Sequence, residues 1–479
     1  MSVTLVLDGE IAGQIAARVA LPRETGGVLL VRRVETASGV RLLARQMCWV
    51  DDAAYLERSA VHMVLPPQAY LPALAVAEAE GAIALWFHTH PGGALGAHPS
   101  DADMQVDAAL AETVRIRTGS DYYGTLIAAP GDTPFTFTGT LQHAEGTVTA
   151  IDRLWLAGSR WRLLQAQGGA HAELPAMFDR NVRAFGPAIQ SILGDLVIAV
   201  TGAGGTGSAV AEQLVRLGVR KLILVDADHL SASNVTRVYG STPADIGRPK
   251  VEVLRDHLLA IAPDLGCETI TGMATLRGVA EALTAADIIF GCTDDNAGRL
   301  VLSRLSTWFL TPVIDVGVLL SSGPGGILEG IHGRVTTLAP GHACLVCRGR
   351  IDMARAAAEL QTPDERKRLA DEGYAPALGQ TEPAVVAFTT AVAAAAINEL
   401  LDRLIGYGPP ELPSETLLRL HEREMSTNRA DPRPGHYCHP AGGKWGAGGE
   451  QPFLGQLWPA TWSGTTHLDH LDARQQWDR

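Results

Sequence analysis

Five short runs of alternating or continuous apolar residues (VTLVLD, GGVLLVRRV, AIALWF, YYGTLIAA and FTFTG) punctuate the first third of the chain, separated by polar turns. Stretches near 8–18 and 101–118 carry a helical spacing instead, so residues 1–147 predict a compact α+β domain. Between 148 and 190, Trp155, Trp161 and a Leu/Ala spacing close to the helical period predict connecting helices that join two larger bodies. From Leu196 the texture changes. LVIAV, KLILVD, ADIIFG and TPVIDVGV are separated by helical patterns, which predicts βαβ units and a mostly parallel α/β sheet across 191–430. Residues 431–479 are rich in Gly, Pro and Trp with little periodicity and predict a tail on the surface.

Composition narrows the partners. With 39 Lys+Arg against 52 Asp+Glu and a formal charge of −13, the 479-residue chain has no basic block to attract a nucleic acid or an anionic membrane. The start, MSVTLVLDGE, has no basic and long apolar leader, and the apolar run Ala391–Ile397 falls far short of the roughly 20 residues that span a bilayer. A cytoplasmic protein is expected. Six cysteines in a chain of this length are too few for a disulfide scaffold, and Cys344-x-x-Cys347 suggests a metal in a reducing compartment.

The first chemical constellation is His88-Thr89-His90-Pro91, followed by Ser100-Asp101-Ala102-Asp103 and preceded by Glu24-Thr25-Gly26-Gly27. AIALWF ends at the two histidines, and residues i and i+2 of an extended chain point to one side, so both imidazoles can meet one metal. Ser100 suits the cap of the next helix and would place Asp103, a third ligand, on its first turn. Three protein ligands leave a position for water, with Glu24 the candidate base and Ser100 a candidate oxyanion helper. The whole string closely resembles the JAMM (JAB/MPN) metalloproteases that remove ubiquitin-like modifiers. The resemblance implies a catalytic Zn2+ on His88, His90 and Asp103, with Glu24 and Ser100 in those roles, on an α+β domain. His98, in the intervening loop, is expected to be exposed rather than a ligand.

The second constellation is Gly202-Ala203-Gly204-Gly205-Thr206-Gly207-Ser208, directly after LVIAV. Glycines there let backbone approach a phosphate at a helix N-terminus, and Asp226, ending KLILVD, stands where a carboxylate meets a ribose hydroxyl. Thus far a dinucleotide dehydrogenase fits equally well. Asn234, Arg237, Lys250 and Asp294 separate the readings, because attack of a carboxylate on an α-phosphate needs its phosphate charge neutralised by Arg, Lys and a Mg2+ held by a carboxylate. From Phe178 to about Leu404 the chain resembles the ThiF/MoeB and ubiquitin-activating superfamily of adenylating enzymes. That resemblance implies a Rossmann-like adenylation domain that takes ATP and Mg2+. Gly202, Gly204, Gly205, Gly207 and Ser208 would form the nucleotide loop, Asp226 the ribose ligand, Asn234, Arg237 and Lys250 the phosphate clamp, and Asp294 the Mg2+ ligand. Arg180 is similar to an arginine that superfamily members extend to the partner subunit's nucleotide, which implies a homodimer.

Around Cys344 and Cys347 the chain resembles the first half of the superfamily's structural zinc site, but the second C-x-x-C is replaced by Pro434-Gly435-His436-Tyr437-Cys438-His439. Two of His436, Cys438 and His439 are expected to complete a tetrahedral site. No cysteine lies between Cys347 and Cys438, and Cys48, Cys267 and Cys292 fall in strand-like or buried contexts, so Cys438 is the one late candidate for a thioester; the alternatives are an enzyme that stops at the adenylate, direct passage to an acceptor or sulfur donor, or use of a cysteine assigned here to zinc. The expected protein is a bifunctional enzyme of a bacterial ubiquitin-like or sulfur-carrier pathway. One half would be an (iso)peptidase that processes or removes a modifier with a C-terminal Gly-Gly; the other would adenylate that terminus, with a conjugating enzyme or sulfur donor downstream. The alternative is an adenylating enzyme whose JAMM-like half only binds the modifier.

Overall fold

The computed structural model describes residues 2–91, 96–131, 134–166, 174–323, 327–361, 364–365, 368 and 384–449. The chain forms two units, Met1–His171 with Lys444–Glu450, and Ala172–Gly443 with the remaining tail. Residues 450–479 of the expected tail lie outside the described residues.

In the first unit the strands are β1 (Val3–Asp8), β2 (Gly26–Thr36), β3 (Gly39–Trp49), the short pair β4 (Glu57–Arg58) and β5 (Met63–Val64), β6 (Ile83–Thr89), β7 (Tyr122–Ala129), β8 (Thr136–His143), β9 (Val148–Ala150), β10 (Arg153–Ala157) and β11 (Trp161–Gln165). Apart from β4–β5 they make one sheet in the order β11-β10-β1-β3-β2-β6-β7-β8-β9. Alternation along β2 decides its faces. Leu29 and Val31 join the core under helix α1 (Gly9–Val19), which buries Ile11, Ile15 and Val19. Val28 and Leu30 meet Leu74, Ala77, Leu110 and Val114 of α2 (Leu71–Glu80) and α3 (Asp101–Thr118) on the other face.

The helices expected at 148–190 are replaced over 153–165 by the β10–β11 hairpin, which pairs in parallel with β1. Leu154, Trp155, Leu156 and Ala157 are all buried, so both faces of β10 are covered and the strand shows no alternation to read. Only the end of the stretch is helical, as α4 (Asp179–Phe185) and α5 (Pro187–Asp195), and both belong to the second unit. The tail also departs from a loose surface segment: Gly446, Ala447 and Gly448 are buried, and Arg45 Nη1 donates to the Trp445 carbonyl at 2.7 Å.

The second unit is Rossmann-like. Its strands β12 (Val197–Thr201), β13 (Lys221–Val225), β14 (Gly266–Ile270), β15 (Ile288–Gly291), β16 (Val313–Ser322), β17 (Leu328–Leu338), β18 (Glu415–Arg419) and β19 (Glu424–Asn428) lie in the order β14-β13-β12-β15-β16-β17-β18-β19. The first five are parallel and the last three antiparallel. The helices that follow strands or line the sheet are α6 (Gly205–Arg216), α7 (Lys250–Ile261), α8 (Arg277–Leu283), α9 (Asn296–Trp308), α10 (Met353–Glu359) and α11 (Val386–Ile405), with α11 packed on α6. β12 has β13 on one side and β15 on the other, so the chain order reverses at its carboxyl end. Ligands of open α/β sheets bind at such a switch point. Among the described residues no helix is long and apolar enough to cross a membrane.

Candidate metal and nucleotide sites

In the first unit, the interior strand β6 ends at Thr89, with His88 near its carboxyl end and His90 just beyond it. The register Gly26↔His88 on neighbouring β2 sets Glu24-Thr25 beside them. Thr25 and Thr89 lock this together: the Thr89 amide donates to the Thr25 carbonyl at 3.0 Å, and the Thr25 amide to Thr89 Oγ1 at 2.9 Å. Ser100 caps α3 and shares a capping box with Asp103, whose Oδ2 accepts from the Ser100 amide and hydroxyl, both at 2.7 Å. The Ser100 hydroxyl is thus engaged with Asp103. His98 is exposed.

These elements bring the three candidate ligands together. His88 Nε2 lies 3.1 Å from His90 Nε2 and 3.2 Å from Asp103 Oδ1, and His90 Nε2 lies 3.4 Å from Asp103 Oδ2. Nitrogen and oxygen ligands at about 2.0–2.1 Å from a tetrahedral zinc stand about 3.3 Å apart, so the spacing fits such an ion. The His90 Nδ1–H donates to the Gly96 carbonyl at 3.3 Å, which leaves the Nε2 lone pair facing the cluster. Despite burial, the bonds to His88 and His90 hold the Asp103 carboxyl far below the usual carboxylate range. Burial pushes the Glu24 carboxyl up, against the pull of His88 and His90.

The sequence did not single out the residues that hold Glu24. Its amide donates to the Ser59 carbonyl at 2.8 Å, and Arg58 donates from Nε to the Glu24 carbonyl and from Nη2 to Thr25 Oγ1, each at 2.6 Å. Arg58 sits in the β4–β5 segment, too short to give a periodic signal.

In the second unit the loop after β12 is shaped by two close approaches. Gly202 has φ +96°, and a Cβ there would lie 2.6 Å from the Cys292 carbonyl oxygen, while one on Gly207 would lie 1.7 Å from the Gly202 oxygen. The turn therefore packs against both the end of β15 and the first turn of α6. Gly204, the N-cap of α6, faces open space with nothing within 4 Å of a Cβ position. That gap, at a helix N-terminus with unpaired N–H groups, fits a phosphate.

Polar groups gather around it. Asp226 Oδ2 accepts from the Ala203 amide at 2.6 Å, tying the end of β13 to the loop, and its carboxyl is pushed up by burial against the pull of Lys250. Lys250 opens α7; its Nζ is 2.6 Å from Asp228 Oδ2 and 4.0 Å from Asp226 Oδ1, and the two carboxylates raise its pKa in spite of burial. Asp228 is a further member of the set, legible in hindsight as the second acid of Asp226-Ala227-Asp228. The Arg237 stem crosses the start of α6, with Cδ 3.2 Å from the Gly205 Cβ position. Asp294 is exposed two residues beyond Cys292, as a hard-cation ligand at this loop would be, and Arg180 is exposed on α4. Two expected contributors also make local hydrogen bonds. Ser208 is fully buried and its Oγ accepts from the Tyr239 amide at 3.1 Å, and Asn234 is buried with Oδ1 accepting from the Ser231 amide at 3.0 Å.

Farther along, Cys344, Cys347, His436 and Cys438 converge within 4.8 Å. Cys344 Sγ is 3.6 Å from His436 Nδ1, Cys347 Sγ 3.6 Å from Cys438 Sγ, and His436 Nδ1 3.3 Å from Cys438 Sγ. Sulfur at about 2.3 Å and nitrogen at about 2.0 Å from one tetrahedral zinc give edges of about 3.5–3.8 Å, close to this set. His439 is left outside: it caps the 3-10 turn Pro440–Gly442, its Nδ1 accepting from the Ala441 amide at 3.1 Å.

The model of the ThiF family matches residues 178–439, more than half of the chain. The chain belongs to the ThiF family. It is 30% identical over 164 residues to protein HesA of Nostoc sp., covering 34% of this chain and 61% of that one. To the sulfur carrier protein ThiS adenylyltransferase of Escherichia coli it is 32% identical over 139 residues, covering 29% and 54%. To the molybdopterin-synthase adenylyltransferase of E. coli it is 30% identical over 162 residues, covering 34% and 62%. The chain thus spans 54–62% of the length of these relatives. Among solved structures, that of E. coli MccB with ATP is similar at a TM-score of 0.43 and 18% identity, covering 57% of this chain and 76% of that one. The matched stretch begins after the first unit.

Proposed function

We propose that the second unit adenylates the C-terminal carboxylate of a ubiquitin-like or sulfur-carrier protein, one ending in Gly-Gly. The observation that carries this is the Gly202–Gly207 turn at the switch point, open at Gly204 and ringed by Asp226, Lys250 and Arg237. A carboxylate oxygen attacks the α-phosphorus of ATP, the bond to pyrophosphate breaks, and pyrophosphate leaves with the electron pair. The α6 N–H groups and the Arg237 and Lys250 cations offset the charge on the phosphates. A Mg2+ held by Asp294 would add to that neutralisation. Membership of the ThiF family and the names of the ThiS- and molybdopterin-linked relatives support the same chemistry. Arg180, exposed on α4, suits a role at the neighbouring subunit's nucleotide in a homodimer.

The adenylating reading with a first unit that binds the carrier is the one the family match favours. A second reading, zinc-dependent cleavage behind the carrier's Gly-Gly, is favoured by one observation, the convergence of His88, His90 and Asp103 at tetrahedral spacing. A zinc ion held by those three residues supplies Lewis-acid activation of water. Glu24, held by Arg58 and Ser59, is then the group that takes the proton.

Two assays test this. Release of AMP and pyrophosphate from ATP should require a carrier with its terminal glycine, and release that ignores the carrier's terminus would refute adenylation. Cleavage of a carrier extended beyond Gly-Gly, lost in Glu24→Gln, would establish hydrolysis; an uncleaved carrier bound by the wild-type chain would leave the first unit as a binding module.

A further inference from the structure

Asp294 lies between β15 and α9, outside both, so its place is set by what holds the two ends of that short connection. At the strand end the Cys292 amide donates to the Thr201 carbonyl at 2.7 Å. At the helix end Asp295 caps α9, Oδ1 accepting from the Gly298 amide at 2.8 Å and Oδ2 from the Thr293 hydroxyl at 3.0 Å. The first N–H groups of a helix find no partner within it. In α9 one of them is satisfied from another element: the Ala297 amide donates to Glu359 Oε2, at the end of α10, at 2.9 Å. Glu359 is buried, and its other oxygen accepts from Arg355 Nε at 3.1 Å. Beside it, Asn296 Oδ1 accepts from the Asp352 amide at 2.9 Å, and Arg299 Nη1 donates to the Arg350 carbonyl at 3.1 Å. Three bonds therefore join residues 350–359 to the first turn of α9. That segment leaves the Cys344–Cys347 turn directly. The Arg348 amide donates to the Cys344 carbonyl at 3.1 Å and the Arg350 amide to the Leu345 carbonyl at 2.8 Å, while Arg350 Nη2 donates to Glu415 Oε2 at 2.8 Å.

We propose that this grip on the first turn of α9, centred on Glu359 and Asn296, positions Asp294 for the divalent cation that accompanies the nucleotide. The inference rests on the adenylation reading and on Asp294 as its Mg2+ ligand. Glu359 and Asn296 are positioning residues, acting through the helix start and not on the reacting groups. Removing the Glu359 carboxylate leaves the Ala297 N–H without its partner in a buried place, so the turn must shift or fray to satisfy it. The strand end stays pinned at Cys292, and the body of α9 stays tied to the sheet by Arg299, whose Nε and Nη2 donate to Asp315 Oδ1 and Oδ2, each at 2.9 Å. The displacement is therefore concentrated on residues 293–296, with Asp294 in their midst. A loosened ligand weakens cation binding more than it weakens the fold.

The test compares Glu359→Ala, Glu359→Gln and Asn296→Ala in the full chain. Pyrophosphate exchange with a Gly-Gly-ended carrier is followed across Mg2+ concentrations. Binding of Mn2+ beside a non-hydrolysable ATP analogue is read without turnover by electron paramagnetic resonance, and zinc content is measured on the same samples. Both alanine variants should raise the half-saturating Mg2+ and the Mn2+ dissociation constant about tenfold, approach the wild-type maximum at saturating Mg2+, and keep the wild-type zinc content. Glu359→Gln retains an oxygen that accepts from the Ala297 amide and should behave as wild type. An unchanged cation requirement in both alanine variants overturns the inference. A lower maximum at an unchanged half-saturation also overturns it, as does a glutamine variant as impaired as the alanine one. If Glu359→Ala does not fold, Asn296→Ala decides alone. Wild-type Mn2+ affinity in Asp294→Ala would place the cation elsewhere and overturn the inference while leaving adenylation intact. Absence of exchange by the wild-type chain with every carrier would instead remove the adenylation reading, and the inference with it.

Discussion

Substitution of Gly204 by alanine separates a phosphate-binding role from a folding role. The residue has φ −77° and ψ −161°, a conformation alanine adopts, and nothing lies within 4 Å of the new Cβ. Alanine is a poorer N-cap than glycine, but it also narrows the unfolded ensemble, so the two effects offset to within about 1 kcal/mol. For a unit of this size that is a Tm change of at most about 4 °C. The added methyl group, however, occupies the space into which the phosphates must come, and a displacement of about 1 Å at a reacting centre costs on the order of 100-fold in rate. Gly207→Ala is the counterpart. Its Cβ would lie 1.7 Å from the Gly202 oxygen, so the backbone must move, and a loss of about 2–3 kcal/mol in stability should accompany the loss of activity. Thermal unfolding and carrier-dependent pyrophosphate exchange, measured on both variants, read the two effects apart. Wild-type exchange in Gly204→Ala would refute phosphate binding at the open side of the turn.

Four further outcomes are expected. His436→Ala should lose one equivalent of bound zinc and destabilise the second unit by several kcal/mol, whereas His439→Ala should keep the metal, because only His436 joins the thiols; metal analysis and unfolding decide it. Glu415 is buried, which raises its carboxyl, but its bonds to Arg350 and Asn428 outweigh burial and hold the pKa down to about 2. A carboxyl depressed in the fold stabilises above its unfolded pKa and loses that contribution as pH falls toward 2. Glu415→Gln should therefore flatten the fall in stability between about pH 5 and pH 2, a difference of up to about 3 kcal/mol seen by denaturant unfolding. His88→Ala should remove the metal of the first unit and leave pyrophosphate exchange intact, and loss of exchange would show that the two chemistries are not separable. Mixing Arg180→Ala with Asp294→Ala subunits should restore part of the exchange if the arginine acts across a homodimer, and no recovery would place it in its own subunit's site or outside catalysis.

Where one face of an element is wet or its ends are marked by turns, the sequence was readable. β1, β2, β6, β7 and the parallel strands β12, β13 and β15 follow their apolar runs, and α3 begins at the Ser100 cap that its pattern suggests. The sequence pattern predicts helix where β10 and β11 lie because Trp155 and Trp161 are both fully buried and the surrounding Leu and Ala carry helix propensity; the turn Gly158-Ser159-Arg160 is the signal for a hairpin. Ligand groups close in sequence were legible for the same physical reason: His88 and His90 stand two residues apart at the end of one strand, and Asp103 is fixed by its cap. The fourth member of the Cys344 cluster was not. His436 and His439 have equal chemistry and similar spacing, and only the turn that His439 caps removes it from the set. Lys250 illustrates another limit, since its pairing with Asp228 depends on how α7 meets the end of β13.

The most direct test of adenylation is pyrophosphate exchange into ATP by the purified chain, with and without a Gly-Gly-ended carrier, in wild type and Asp294→Ala. The account predicts exchange that depends on the carrier and is lost in the variant. Exchange that persists in Asp294→Ala, or none with any carrier while ATP still binds, would contradict it.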